Sequence, residues 1–250
     1  MLAPRVLVLR APGTNCDQET AHAFERAGGI ARRVHVTALA ERPAIADDCQ
    51  ILCIPGGFSY GDDIASGRIL AVELKTRLAE LLERFRDRGG LILGICNGFQ
   101  VLLQTGLLLT GPDGQRQATL AHNTSGRFID RWVPLRITGG GPCVFLAGLD
   151  ALELPVAHAE GRFVARSADA LANLEAAGQL PLRYDGGANP NGSEAHVAGA
   201  CDPSGRVFGM MPHPERFIVA TQHPAWHGRL DPTAAGAGLA IFINAVRAVS

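Results

Sequence analysis

Cys96 stands where an apolar run meets a helical pattern with no room for a loop. The segment Gly94-Ile95-Cys96-Asn97-Gly98-Phe99 therefore has to turn sharply at the cysteine. Glycines two residues to either side leave space for that turn and for close strand–helix packing. This is the geometry of a nucleophile elbow, written with Cys in place of Ser. Such a turn holds the sulfur at a sheet edge beside a helix N-terminus, where the helix dipole favours the reactive thiolate. The amide N–H of Asn97 would then face a developing oxyanion. The competing reading is a buried structural cysteine ahead of a helix.

A thiol nucleophile needs a base, and the base needs an orienting group. Pro212-His213-Pro214-Glu215 supplies both within four residues. Pro214 biases His213 toward an extended conformation. Residues two apart on an extended chain project to one side, so Glu215 can hold the His213 imidazole in one tautomer. Pro55-Gly56-Gly57-Phe58-Ser59-Tyr60-Gly61-Asp62-Asp63 is the third feature. Its glycines let backbone amides approach a ligand, which suits a second oxyanion donor near Gly57. An ordinary Gly-rich turn is the alternative. It is not a phosphate loop, because no Gly-Lys-Ser/Thr follows. Asn15-Cys16-Asp17 is a further polar cluster, read as a helix cap ahead of a substrate or partner contact. The other seven histidines are weaker candidates. His223 and His227 are four apart, but Pro224 argues against a helical metal face, and no metal cluster is expected.

The elements around these motifs alternate between strand and helix over the first hundred residues. Val6–Leu9, Val34–Val36, Ile51–Ile54 and Leu91–Ile95 read as short apolar strands. Helices are expected over Asp17–Ala27, Ile69–Arg88 and Gly98–Gln104. Wholly apolar strands separated by helices imply parallel strands buried on both faces. Ligands then bind beyond the carboxyl ends of the strands, where the Pro12–Asp17, Pro55–Asp63 and Cys96–Phe99 loops fall. The second half is less regular. Strands are expected at Arg131–Ile137, Pro155–His158, Arg162–Ala165 and Pro181–Tyr184. A hairpin joins Val197–Cys201 to Val207–Met211 through Asp202-Pro203-Ser204-Gly205. Ala234–Val249 reads as a closing helix. Gly139-Gly140-Gly141-Pro142 is the one linker-like stretch and is too short to separate two domains, so residues 1–250 are expected to form one domain.

Composition bounds the function. Hydrophobic residues make up 47% of the 250 residues and charged residues 19%, which is globular composition and enough for a buried core. A net charge of -1 gives no basic surplus for nucleic acid. No apolar stretch reaches the roughly 18 residues of a membrane span. No basic, apolar leader opens the chain. Six irregularly spaced cysteines are too few for a disulfide scaffold, so a reducing, cytoplasmic setting is expected.

Taken together, these motifs resemble the class I glutamine amidotransferases. That family carries a Gly-x-Cys-x-Gly elbow, an upstream Pro-Gly-Gly loop and a late His-Pro-Glu, and all three occur here in that order. The likeness spans nearly the whole chain. It extends to Ala11–Asp17, Ile54–Gly61, Gly94–Gln100, Pro155–Gly161, Asn189–Ser193 and Gly209–Arg216. Those strings are closest to the branch that serves purine biosynthesis.

The resemblance implies a flavodoxin-like three-layer α/β fold around a mostly parallel sheet. It also implies glutaminase chemistry: Cys96 as nucleophile, His213 as acid and base, Glu215 as its orienter, and Gly56, Gly57, Phe58, Asn97 and Gln100 around the oxyanion and substrate. Glutamine is the implied substrate, with no cofactor or metal in this chain. The partner would be a separate synthetase large subunit using ATP and magnesium, often with a small accessory subunit. Ala121–Phe128 departs from compact members of that branch; its Asn123, Ser125 and Arg127 are expected to face the cleft or the synthetase. Two other functions stay open: a glutaminase for a different synthetase, and a silent binding module on the same fold.

Overall fold

The computed structural model describes residues 3–138, 141–228 and 230–250. Gly139 and Gly140 of the linker-like stretch lie outside the described residues. In chain order the elements are β1 (Arg5–Arg10), α1 (Asp17–Arg26), β2 (Ile30–His35), α2 (Val36–Glu41), β3 (Ile51–Ile54), α3 (Arg68–Arg77), α4 (Ala79–Asp87), β4 (Leu91–Ile95) and α5 (Asn97–Thr105). There follow β5 (Ala118–Ala121), β6 (Ile129–Ile137), β7 (Ala151–His158), β8 (Arg162–Ala165), α6 (Ala168–Ala176), β9 (Leu182–Tyr184), β10 (Val197–Cys201), β11 (Val207–Met210) and α7 (Leu239–Arg247).

One sheet has the order β2-β1-β3-β4-β11-β10-β9-β6-β7, and β5 and β8 form a separate antiparallel pair. From β2 to β11 all pairings are parallel. Beyond β11 the sheet continues through antiparallel neighbours. The expected α/β fold is therefore present, with a parallel half that carries the site and an antiparallel extension beside it. From β1 the chain runs first to β2 on one side and then back past β1 to β3 and β4 on the other. Right-handed crossovers then put α1 and α3 on opposite faces. The packing agrees: α1 rests on α7, and α3 rests on α5. Phe24 and Phe242 meet edge-on with centroids 4.9 Å apart, a contact worth about 1 kcal/mol beyond its buried area.

β3 and β4 are buried at every position, as expected for strands covered on both faces. Several boundaries differ from the sequence pattern: the closing helix expected over Ala234–Val249 runs Leu239–Arg247, and the strand expected at Pro155–His158 already begins at Ala151. The helix expected over Ile69–Arg88 is two helices, because the backbone turns at Leu78 (φ -133°, ψ 9°). That turn keeps Leu70, Leu74, Leu81, Leu82 and Phe85 all in the core. The strand expected at Val34–Val36 instead starts at Ile30 and ends at His35, whose Nδ1 accepts the Thr37 N–H at 3.2 Å and opens α2.

Candidate functional site

The parallel half aligns the carboxyl ends of β1, β3, β4 and β11. The reversal of strand order between β1 and β3 opens a crevice there. Four loops meet at it: the residues after Arg10, Pro55–Gly57, Cys96, and the turn after Met210.

Cys96 joins β4 to α5 with φ 51° and ψ -105°, a strained conformation for a side-chain-bearing residue. The strain is held from both sides. The Cys96 N–H donates to Met210 O at 2.7 Å, and its carbonyl accepts from Phe99 N–H and Gln100 N–H. Gly98 is required by contact: a Cβ there would sit 1.8 Å from Ile54 O. Sharp turn, flanking glycine and helix start are what the sequence pattern demanded.

His213 and Glu215 come from the short turn that follows β11. His213 Nδ1 lies 2.6 Å from Glu215 Oε1, and the two residues are 1% and 0% exposed. The His213 N–H donates to Pro155 O at 2.8 Å, which ties the turn to β7. Burial disfavours the imidazolium. The Glu215 carboxylate opposes it, helped by Cys96 and Cys16, and the His213 pKa stands well above its ordinary value. His213 Nε2 takes no hydrogen-bond partner among the described residues. The Cys96 thiol instead donates to Ala157 O at 3.7 Å. The resting sulfur thus sits near the imidazole but is bonded elsewhere, and must turn before it can give up its proton.

A cavity of about 290 Å³ opens over the sulfur, lined among others by Gly57, Phe58, Cys96, Gln100, His158 and Glu160. The remaining expected residues fall around it with different jobs. Among the described residues, neither the Gly57 nor the Asn97 N–H donates to a backbone carbonyl, so both are free to serve an oxyanion. Gly56, whose N–H likewise donates to no backbone carbonyl among the described residues, packs under His213. Its carbonyl accepts the Cys16 N–H at 3.3 Å, and a Cβ on it would lie 2.8 Å from His213 Cε1. The Phe58 N–H is spent on Gly13 O at 3.0 Å, and its ring stands at the mouth, 6.5 Å from that of Phe128. The Asn97 carboxamide donates to Asp62 Oδ1 at 3.2 Å and to Gln100 Oε1 at 3.0 Å, and Gln100 in turn bonds Glu160 O. These side chains brace the cavity wall.

Sequence reasoning missed several participants. Cys16 was placed in a capping cluster, yet α1 has no side-chain cap. Its sulfur accepts from Arg216 at 3.2 Å, while Asp17 pairs with Arg10 and Arg33 at 2.8 and 3.0 Å. Cys16, His213 and Glu215 bring ligand-type atoms within 4.8 Å of one another, but the Arg216 guanidinium occupies the sulfur. His158 is buried, and Asn123 fixes its tautomer. The Asn123 Nδ2 donates to His158 O and Arg127 O, so Oδ1 must accept from His158 Nδ1–H. Asn123 is thus a buried brace and not a cleft-facing residue, whereas Ser125 and Arg127 are exposed. No local pattern predicted the Cys16–Arg216 and Asn123–His158 contacts, which join residues 200 and 35 apart in the chain.

Comparison with known proteins agrees with this geometry. The chain is 46% identical to the phosphoribosylformylglycinamidine synthase subunit PurQ of Dehalococcoides mccartyi, over 97% of this chain and 96% of that protein. It is 39% identical to the subunit of the same name from Methanococcus maripaludis, over 98% and 97%. A chain in the structure of PurLQS from Thermotoga maritima superposes with a TM-score of 0.77 at 32% identity, with full coverage of both. The model of the CobB/CobQ-like glutamine amidotransferase domain matches residues 3–249, and the chain belongs to that family.

Proposed function

We propose that this chain is the glutaminase subunit of a phosphoribosylformylglycinamidine synthase, with residues 1–250 forming one glutaminase domain. The observation that carries this reading is the meeting at one sheet edge of Cys96 on its strained turn with the buried His213–Glu215 pair. The names and near-complete coverage of its relatives support the same assignment.

Glutamine enters the cavity with its carboxamide over Cys96. The thiol turns from Ala157 O and passes its proton to His213 Nε2, and the thiolate attacks the amide carbon. Glu215 stabilises the imidazolium so formed. Negative charge gathers on the former carbonyl oxygen, which accepts hydrogen bonds donated by the Gly57 and Asn97 N–H groups. When the tetrahedral adduct collapses, His213 protonates the departing nitrogen; ammonia leaves and a thioester remains on Cys96. His213 then takes a proton from water, the hydroxide adds to the thioester, and glutamate departs as the thiol is restored. The ammonia goes to a synthetase subunit that uses ATP and magnesium to convert formylglycinamide ribonucleotide to formylglycinamidine ribonucleotide, with a small accessory subunit in the assembly.

Reconstitution with that synthetase tests the reading. Glutamine hydrolysis is expected to be slow for the chain alone and to rise when synthetase and its nucleotide substrates are added. No stimulation and no complex would contradict it.

A further inference from the structure

We propose that Cys16 is a positioning residue that keeps the Arg216 guanidinium off Glu215, leaving that carboxylate undivided for His213. This rests on the reading of His213 and Glu215 as the base and its orienter.

Arg216 directly follows Glu215 on the same short turn, Pro214–Arg216. A guanidinium and a carboxylate so close in a buried site would ordinarily pair, and a bidentate pair is among the strongest available. Here they do not. Arg216 donates to Cys16 Sγ at 3.2 Å, while Glu215 Oε2 is fully buried and takes no hydrogen bond among the described residues. An orphaned carboxylate oxygen beside an engaged guanidinium needs a reason, because leaving such an atom unpaired is costly.

Cys16 supplies that reason. Its backbone N–H is fixed to Gly56 O at 3.3 Å, and its thiol donates to Asn15 Oδ1 at 3.3 Å. With its proton directed there, the sulfur lone pairs accept from Arg216. The sulfur also lies within 4.8 Å of a His213 ring nitrogen and a Glu215 oxygen, so the atom that holds Arg216 is itself beside the carboxylate. Burial lowers the Arg216 pKa, and Cys16 and Glu215 more than offset that, so the guanidinium does feel the carboxylate. Were the pair to form, Arg216 would stabilise Glu215 in place of the imidazolium. His213 would lose both proton affinity and orientation.

The test compares Cys16→Ala, Cys16→Ser and Cys16→Ala/Arg216→Met in the reconstituted complex. For Cys16→Ala, glutamine-dependent kcat should fall ten- to hundredfold with KM nearly unchanged, about the scale seen for groups that orient a functional ligand. Ser keeps an acceptor and should retain most activity. The double variant removes the intruding cation and should recover most of the loss. The His213 Nδ1 proton resonance reads the bond to Glu215 without turnover. It should move upfield in Cys16→Ala and return downfield in the double variant. A wild-type complex that does not turn over glutamine would contradict the proposed function, while the resonance still tests this contact. Unchanged kcat and resonance in Cys16→Ala, or a double variant no better than the single one, would overturn the proposal.

Discussion

His213 Nδ1 and Glu215 Oε1 are 2.6 Å apart in a buried site, and each residue has one further polar atom without a hydrogen bond among the described residues. The pair is therefore poised on one side only. Glu215 fixes the tautomer through Nδ1, and Nε2 is left to exchange a proton with the sulfur or with water.

Glu215→Gln keeps the shape and removes the charge. A carboxamide can donate to Nδ1 and so select the wrong tautomer. Glutamine-dependent kcat should fall about 10²- to 10⁴-fold, the range for losing an orienting carboxylate or a general base. Steady-state kinetics on the reconstituted complex checks this, with ammonia-dependent synthesis expected to persist.

Gly56→Ala tests the wall beneath the imidazole. The added Cβ would lie 2.8 Å from His213 Cε1, below any normal contact. The ring must shift, and a displacement near 1 Å at a reacting group costs roughly a hundredfold in rate. Thermal unfolding should change little by comparison, because the clash is with one side chain of the site. Unaltered kcat would show that His213 can relocate freely.

His158 and His213 impose opposite pH dependences on stability. Burial, then the charge on His213, depresses the His158 pKa from 6.5 to about 4. The unfolded chain therefore binds a proton there that the native state refuses, so stability falls as pH drops from 6.5 toward 4. The full effect is on the order of 3 kcal/mol. His213, with its pKa raised, contributes stability that is complete below pH 6.5 and lost as pH rises through the folded value. Urea unfolding across pH 4–6.5 should show a shallower slope for His158→Asn than for the parent chain. Parallel curves would mean that His158 does not titrate in this way.

The parallel half of the fold and its chemistry were legible because both are local. Leu91–Ile95 is apolar throughout, and the turn at Cys96 follows from the absence of loop residues before Asn97. His213 and Glu215 fall two apart on a turn bracketed by prolines. What the sequence hid is set by tertiary contact. Cys16 meets Arg216 across 200 residues, and Asn123 meets His158 across 35. Nor does the helical pattern of Ile69–Arg88 reveal the turn at Leu78, because the apolar spacing stays regular through it. Gly56 and Gly57 read alike in the sequence, yet only Gly56 packs under the base.

Covalent chemistry at Cys96 is the centre of the proposed reaction. In the reconstituted complex, Cys96→Ala should abolish synthesis with glutamine as nitrogen donor and leave synthesis with free ammonia intact, because the synthetase retains its own site. Persistent glutamine use by the Cys96→Ala complex would contradict the account.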